Sequence, residues 1–194
     1  MTDTDPTRGD AFAAMLAPLM DLLSPRSAID VGCCRGDALW LFIKRSCLVV
    51  GFDIRCDEIE DSDLWPFLRC VDITITTPPE ILKTFDLTIS TEVAEHIPAR
   101  SEPAFLQWIT QTPWLFFSAN DGGAYVSGES KWKPVPCRHV NCQPREYWVE
   151  RLRGCGYDER PDMLAKWAEG ADVWKATQHI AQRAIIFGRD TDPQ

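Results

Sequence analysis

Residues 28–36 read Ala28-Ile29-Asp30-Val31-Gly32-Cys33-Cys34-Arg35-Gly36. An apolar run leads straight into a glycine-punctuated turn, and the helical periodicity of 36–46 follows at once. This order predicts a buried strand, a tight turn and a helix, the place where ligands lodge in an open parallel sheet. The next apolar run, 48–52, continues into Asp53 and Ile54. Asp53 stands about twenty residues after the turn, where the diol of a ribose would sit, and its two carboxylate oxygens can accept from both hydroxyls. The plainer alternative is that Asp53 caps the following helix.

Outward from this unit, further apolar runs separated by turn residues occupy 67–71, 85–89 and 114–117. Phe12, Leu16, Leu19 and Leu23 lie at helical spacing ahead of Pro25, which predicts a leading helix over 11–23. Shorter helical segments are expected over 57–65 and 79–84. Residues 118–143 are rich in Gly, Ser, Asn and Pro and too long for an ordinary connection, so they read as an active-site loop. Helical periodicity resumes over 144–154, with Pro144 suited to the first turn, and Gly156 and Tyr157 lead into another strand. Residues 162–182 read as helix interrupted near Gly170, and 183–187 as the last strand. Repeated strand-then-helix order implies parallel strands, right-handed crossovers and covered faces, the α/β class.

The chain's 194 residues fit one domain, 1–194, with only 1–9 and 190–194 read as loose. Hydrophobic residues make up 45% and charged residues 25%, which suits a globular core. A net charge of -9 repels phosphate backbones, so a long nucleic-acid partner is not expected. The acidic start has no signal-peptide pattern and no apolar run is long enough to span a bilayer, so the expected location is cytoplasmic and off the membrane. On that footing the eight cysteines, Cys33, Cys47 and Cys70 among them, are expected as free thiols. The oligomeric state is not legible.

A dinucleotide fingerprint would need glycines at its first, third and sixth places, which here are Gly32, Cys34 and Asp37. Asp37 would set a negative charge where the pyrophosphate should rest, so a dinucleotide fits badly. Asp30, Gly32, Cys34 and Gly36 instead resemble the first motif of the class I S-adenosylmethionine-dependent methyltransferases, Asp-x-Gly-x-Gly-x-Gly, with Cys34 in place of the central glycine. A positive φ at that position would be costly for a cysteine. Asp53 resembles the family's ribose-binding acid, Asp72 with Ile73 the pair at the adenine, and residues 85–98 its fourth motif. The resemblance implies a Rossmann-like, doubly wound, mostly parallel seven-stranded sheet with a C-terminal antiparallel strand and helices on both faces. It also implies S-adenosyl-L-methionine as cofactor, held by Asp30, Gly32, Cys34, Gly36, Asp53, Ile54, Asp72, Ile73, Ser90 and Glu92.

Methyl transfer is an in-line displacement at an activated carbon, so the protein mainly aligns the partners, and a base helps only a weak nucleophile such as a hydroxyl. Of the three histidines, His139 falls in the loop and His96 just after the fourth strand, which makes them the catalytic candidates, whereas His179 is assigned to a late helix. Each has a structural hydrogen-bonding role as its alternative. The segment from His139 to Pro144, with Tyr147 and Trp148, resembles stretches before the last helix in methyltransferases of glycan and secondary-metabolite pathways, implying that His139 lies over the substrate; the expected acceptor is a small molecule or glycan-like, methylated at oxygen, with no metal.

A second resemblance, of Glu92, Glu95, His96 and His139 to metal-dependent 2′-O-methyltransferases of small-RNA 3′ ends, implies that this quartet binds a divalent ion. Glu92, Glu95 and His96 would share one face if their segment were helical, while the acidic net charge stands against an RNA. A third alternative, suggested by Cys34, is a degenerate cofactor-binding module without activity. Cys137, His139 and Cys142 offer part of a zinc site, for which Cys155 would have to fold back, and Trp132 is a candidate for stacking on the acceptor.

Overall fold

The computed structural model describes residues 8–55, 62–122, 139–173 and 177–189. It opens with α1 (Arg8–Leu23), whose Ala11, Phe12, Met15, Leu16 and Leu19 form one buried stripe. Then follow β1 (Ser27–Val31), α2 (Leu39–Lys44), β2 (Leu48–Asp53), β3 (Leu68–Cys70), β4 (Leu87–Thr91), α3 (Glu102–Ile109) and β5 (Trp114–Ser118). The chain closes with α4 (Arg145–Arg153), β6 (Asp158–Glu159), α5 (Pro161–Gly170), α6 (Gln178–Arg183) and β7 (Ile185–Gly188).

The strands form a seven-stranded sheet in the order β3-β2-β1-β4-β5-β7-β6. Neighbours from β3 to β5 run parallel, while β7 is antiparallel to both β5 and β6. From β1 the chain winds outward to β2 and β3, then returns to β4 and β5 on the other side. The winding reverses between β1 and β4, and their carboxyl ends therefore border a crevice.

Side chains alternate across the sheet with period two. Ala28, Leu87, Ile89, Phe116 and Ile186 join α1, Trp167 and Ile180 in one core layer. Ile29, Val31, Leu115, Phe117 and Phe187 join Phe105, Trp108, Trp148 and Leu152 in the other. Helices thus cover both faces, as the doubly wound expectation required. A buried indole bond from Trp167 Nε1 to the carbonyl of Met15, 2.9 Å, ties α5 to α1.

Several local expectations are corrected. The helix read over 36–46 is only Leu39–Lys44, because residues with positive φ, Cys34 (49°) and Gly36 (77°), keep the chain in turns ahead of it. The segments near 57–65 and 79–84 are 3-10 turns at Ser62–Phe67 and Glu80–Thr84, with Pro66 inside the first and Pro79 capping the second; residues 57–61 lie outside the described residues. Arg183 ends α6 rather than opening the last strand. Ser118, placed in the loop by composition, closes β5; the loop is described only at 118–122 and 139–143. Cys70 is disulfide-bonded, against the free-thiol expectation, whereas Cys33, Cys47, Cys142 and Cys155 are free thiols. Among the described residues, no helix is long and apolar enough to cross a membrane.

Candidate functional site

The turn after β1 is held by β2. Gly32 N–H and Cys33 N–H both donate to the carbonyl of Phe52, at 2.8 and 3.2 Å. Gly32 has φ 81°, and a Cβ there would fall 2.2 Å from Val93 Cγ2, so conformation and space both demand glycine. Cys34, at φ 49°, donates its N–H to Asp53 Oδ2 at 2.8 Å, and Arg55 N–H donates to Asp53 Oδ1 at 2.9 Å. Two backbone donors, one on each oxygen, therefore fix the Asp53 carboxylate. Asp72 is oriented similarly by the N–H and hydroxyl of Thr74, at 2.9 and 2.6 Å on Oδ1.

These groups border a cleft of about 630 Å³ at the carboxyl edge of the sheet. Asp30, Gly32, Cys34, Asp53, Ile54, Asp72, Ile73, Glu92 and His96 all line it. Ile54 presents its side chain there at 63% exposure, an apolar surface open to a flat ligand. Gly36 and Ser90 do not line it: Gly36 packs its backbone against Leu64, and the buried Ser90 hydroxyl donates to the carbonyl of Val31 at 3.1 Å, joining β4 to β1. Phe12 of α1 and His179 and Ile180 of α6 complete the wall. The sequence reading had set His179 aside, since the packing of a late helix over the cleft is a tertiary fact with no local motif.

The cleft is strongly acidic. Burial pushes the Asp30 carboxyl up to about 7, with the neighbouring Asp53 and Asp37 adding to the shift. Glu92 is also pushed up to about 7, first by burial and then by Glu95. It has φ 55°, accepts from the Ser118 hydroxyl at 3.0 Å and lies 3.5 Å from Arg183 Nη1.

Beside Glu92, the expected helical face is instead a 3-10 turn, Ala94–His96. Glu95 is 1% exposed, and its Oε2 is buried without a hydrogen-bond partner. Val140 N–H and Asn141 N–H donate to the Glu95 carbonyl at 2.7 and 3.0 Å, which brings His139 alongside. The His96 and His139 rings lie 4.8 Å apart, and one ligand atom each from Glu95, His96 and His139 falls within 4.8 Å of the others. Burial, with the charges of His96 and Arg183, holds His139 below the ordinary histidine value, so its imidazole stays neutral near pH 7.

Two imidazoles and the Glu95 carboxylate, one oxygen of which is buried without a hydrogen-bond partner, form a three-residue donor set that suits a divalent transition ion. Three of the four residues in the expected quartet converge; the Glu92 carboxylate, beside Glu95, is engaged with Ser118 and Arg183. Cys142 and Cys155 are not in this cluster, and Cys137 and Trp132 lie outside the described residues.

No family model and no curated protein sequence matches the chain. Solved structures do. The plantazolicin methyltransferase BpumL, in complex with SAH, superposes with a TM-score of 0.63 at 13% identity over 94% of this chain and 85% of that one. The methyltransferase domain of bacterial CtHen1-C gives 0.62 at 13% identity over 93% and 98%. The sugar N-methyltransferase KedS8 from Streptoalloteichus sp. gives 0.61 at 11% identity over 95% and 88%. The fold is therefore that of the class I S-adenosylmethionine-dependent methyltransferases.

Proposed function

We propose that this chain is an enzyme that binds S-adenosyl-L-methionine in the 630 Å³ cleft and methylates an oxygen of a small-molecule or glycan-like acceptor. The observation that carries the reading is the Asp53 carboxylate, held by the N–H groups of Cys34 and Arg55 at the mouth of a turn with no room for a side chain at Gly32. Asp53 can take the two ribose hydroxyls, Asp72 and Ile73 the adenine, and the turn from Gly32 the methionine end. Asp37 and Asp53, which help to raise the Asp30 carboxyl, set a negative field that favours a cationic ligand. Neighbours of the same fold include a protein crystallised with SAH and a sugar N-methyltransferase, which supports the cofactor and a glycan-like acceptor, though not the choice of oxygen.

When bound, the cofactor supplies a methyl carbon made electrophilic by its sulfonium. The chain's own residues then have two tasks, to align the acceptor and to receive its hydroxyl proton. His139, whose imidazole is held toward its neutral form, is suited to accept that proton, with His96 beside it as the alternative. Calorimetric titration with S-adenosylhomocysteine tests the reading. One saturable site is expected, and the absence of binding heat together with no thermal stabilisation would overturn it.

A second reading has its own observation. Glu95, His96 and His139 would hold a divalent ion, which lowers the pKa of a hydroxyl drawn to it. The acceptor would then be the ribose at an RNA 3′ end, as the resemblance of Glu92, Glu95, His96 and His139 to the RNA 3′-terminal enzymes implies. Activity lost in EDTA and restored by Mn or Mg separates it from the metal-free reading.

A further inference from the structure

We infer that His179 of α6 receives the carboxylate of the cofactor, donating an imidazole N–H to it beside the turn that follows β1. This rests on the cofactor reading above, which assigns the ribose, the adenine and the methionine end as a whole but gives the carboxylate no donor of its own.

The amino-acid end of S-adenosylmethionine carries an ammonium and a carboxylate. The ammonium suits a cleft lined by Asp30, Asp37, Asp53, Asp72 and Glu92. The carboxylate does not, and once drawn out of water it needs a donor. In a turn between a strand and a helix the usual donors to an anion are backbone N–H groups. Here they are already taken. Gly32 and Cys33 donate to the carbonyl of Phe52, Gly36 donates to the carbonyl of Cys33 at 2.8 Å, and Cys34 donates to Asp53. A side chain from another element must therefore supply the donor.

Among the described residues that line the cleft, the basic side chains are Arg55, His96 and His179. Their places in the fold separate them. Arg55 follows β2, and its backbone N–H is on Asp53, at the ribose end. His96 follows β4 between Ala94 and Ile97, which belong to the same core layer as Ile73. Its ring lies 4.8 Å from that of His139, where the proton of the acceptor is received. His179 precedes Ile180, which packs in the opposite layer with Phe12 of α1, Cys33 of the turn and Ala38 at the head of α2. Phe12, Cys33, Ala38 and Ile180 all border the cleft together with His179. The half-buried His179 thus enters from the side of the turn, where the methionine end lies. An imidazole offers an N–H in its neutral form and two in its charged form, so either form can meet the carboxylate.

The test compares S-adenosylhomocysteine with its decarboxylated form, the same thioether nucleoside ending in an aminopropyl tail. Calorimetric titration of the wild type should show the first binding more tightly than the second. In His179→Ala, and in His179→Phe, which keeps a ring in place, S-adenosylhomocysteine should weaken by about 10-fold or more, as expected for a lost hydrogen bond to a charged group. The decarboxylated ligand should bind both variants as it binds the wild type, which also shows that the cleft is intact. His179→Gln, which retains an N–H donor, should lose less than His179→Ala. Unchanged affinity for S-adenosylhomocysteine in the Ala and Phe variants overturns the inference, and so does an equal loss for the two ligands, which would make His179 a wall of the cleft alone. A wild type that binds both ligands equally well overturns it too, while leaving the cofactor reading standing. A wild type that binds neither overturns the cofactor reading, and the role of His179 with it.

Discussion

The backbone N–H of Cys34 donates to Asp53 Oδ2 across 2.8 Å, so the turn after β1 and the acid that ends β2 form one unit. Asp53 serves both neighbours through separate oxygens, because Arg55 N–H takes Oδ1. In Asp53→Asn one of these backbone donors must face an amide NH₂ group. A charge-assisted hydrogen bond is worth roughly 1.5–3 kcal/mol. S-adenosylhomocysteine binding is therefore expected to weaken by about 10-fold or more in calorimetry, with a lower urea midpoint. Unchanged affinity would remove Asp53 from the cofactor site.

Cys34 holds a left-handed conformation, φ 49°, where the related motif has glycine. That backbone region is disfavoured for an L-residue by about 1–2 kcal/mol, while a glycine loses about 0.5–1 kcal/mol in chain entropy. The two nearly cancel, so Cys34→Gly should match the wild type or exceed it by up to about 1 kcal/mol in urea unfolding. Cys34→Val, β-branched, should be the less stable by about 2 kcal/mol. A marked loss of stability in the glycine variant would mean that the thiol makes contacts worth more than its strain.

The parts of the site legible in the sequence are those that local chain order determines. A strand, its turn and the acid of the next strand are adjacent in any parallel βαβ unit, so Asp30, Gly32, Cys34 and Asp53 could be placed before the structure was known. Phe12 and His179 could not, since they reach the cleft by packing of the first and last helices over the sheet. The helical face expected for Glu92, Glu95 and His96 failed locally. Glu92 takes a left-handed conformation and a 3-10 turn follows, so Glu95 and His96 meet His139 while the Glu92 carboxylate goes to Ser118. Ser90 matched the motif yet serves as an inter-strand hydrogen bond, a role that a pattern of residue types does not distinguish.

Asp30 makes the unliganded protein sensitive to pH. Its carboxyl is pushed up from the ordinary 3.8 to about 7, chiefly by burial, then by Asp53 and Asp37. The folded state thus favours the protonated acid. That contribution is complete below about pH 4 and is lost as pH rises through 7, amounting to a few kcal/mol at about 1.4 kcal/mol per pKa unit. Urea midpoints measured across this window should fall with rising pH in the wild type and fall less in Asp30→Asn. A cationic cofactor beside the same acid should expel its proton, so S-adenosylmethionine should bind more tightly at pH 8 than at pH 6, with buffer-dependent heats. Identical slopes in the two proteins would show that Asp30 ionises normally.

Glu95, His96 and His139 supply the last prediction. Glu95 contributes a buried oxygen with no partner, and the two rings lie 4.8 Å apart. A cation bound there satisfies that oxygen and stabilises the fold by mass action, about 2.7 kcal/mol at a hundredfold excess over its dissociation constant. Added Mn or Zn should raise the melting temperature of chelator-treated protein by several degrees. His139→Ala should abolish the rise, and Glu92→Gln should preserve it, because Glu92 is engaged with Ser118 and Arg183. A rise that persists in His139→Ala places the ion elsewhere. No rise in the wild type leaves His139 as a neutral base and favours the metal-free reaction, since nothing then competes with a substrate proton for its ring nitrogen.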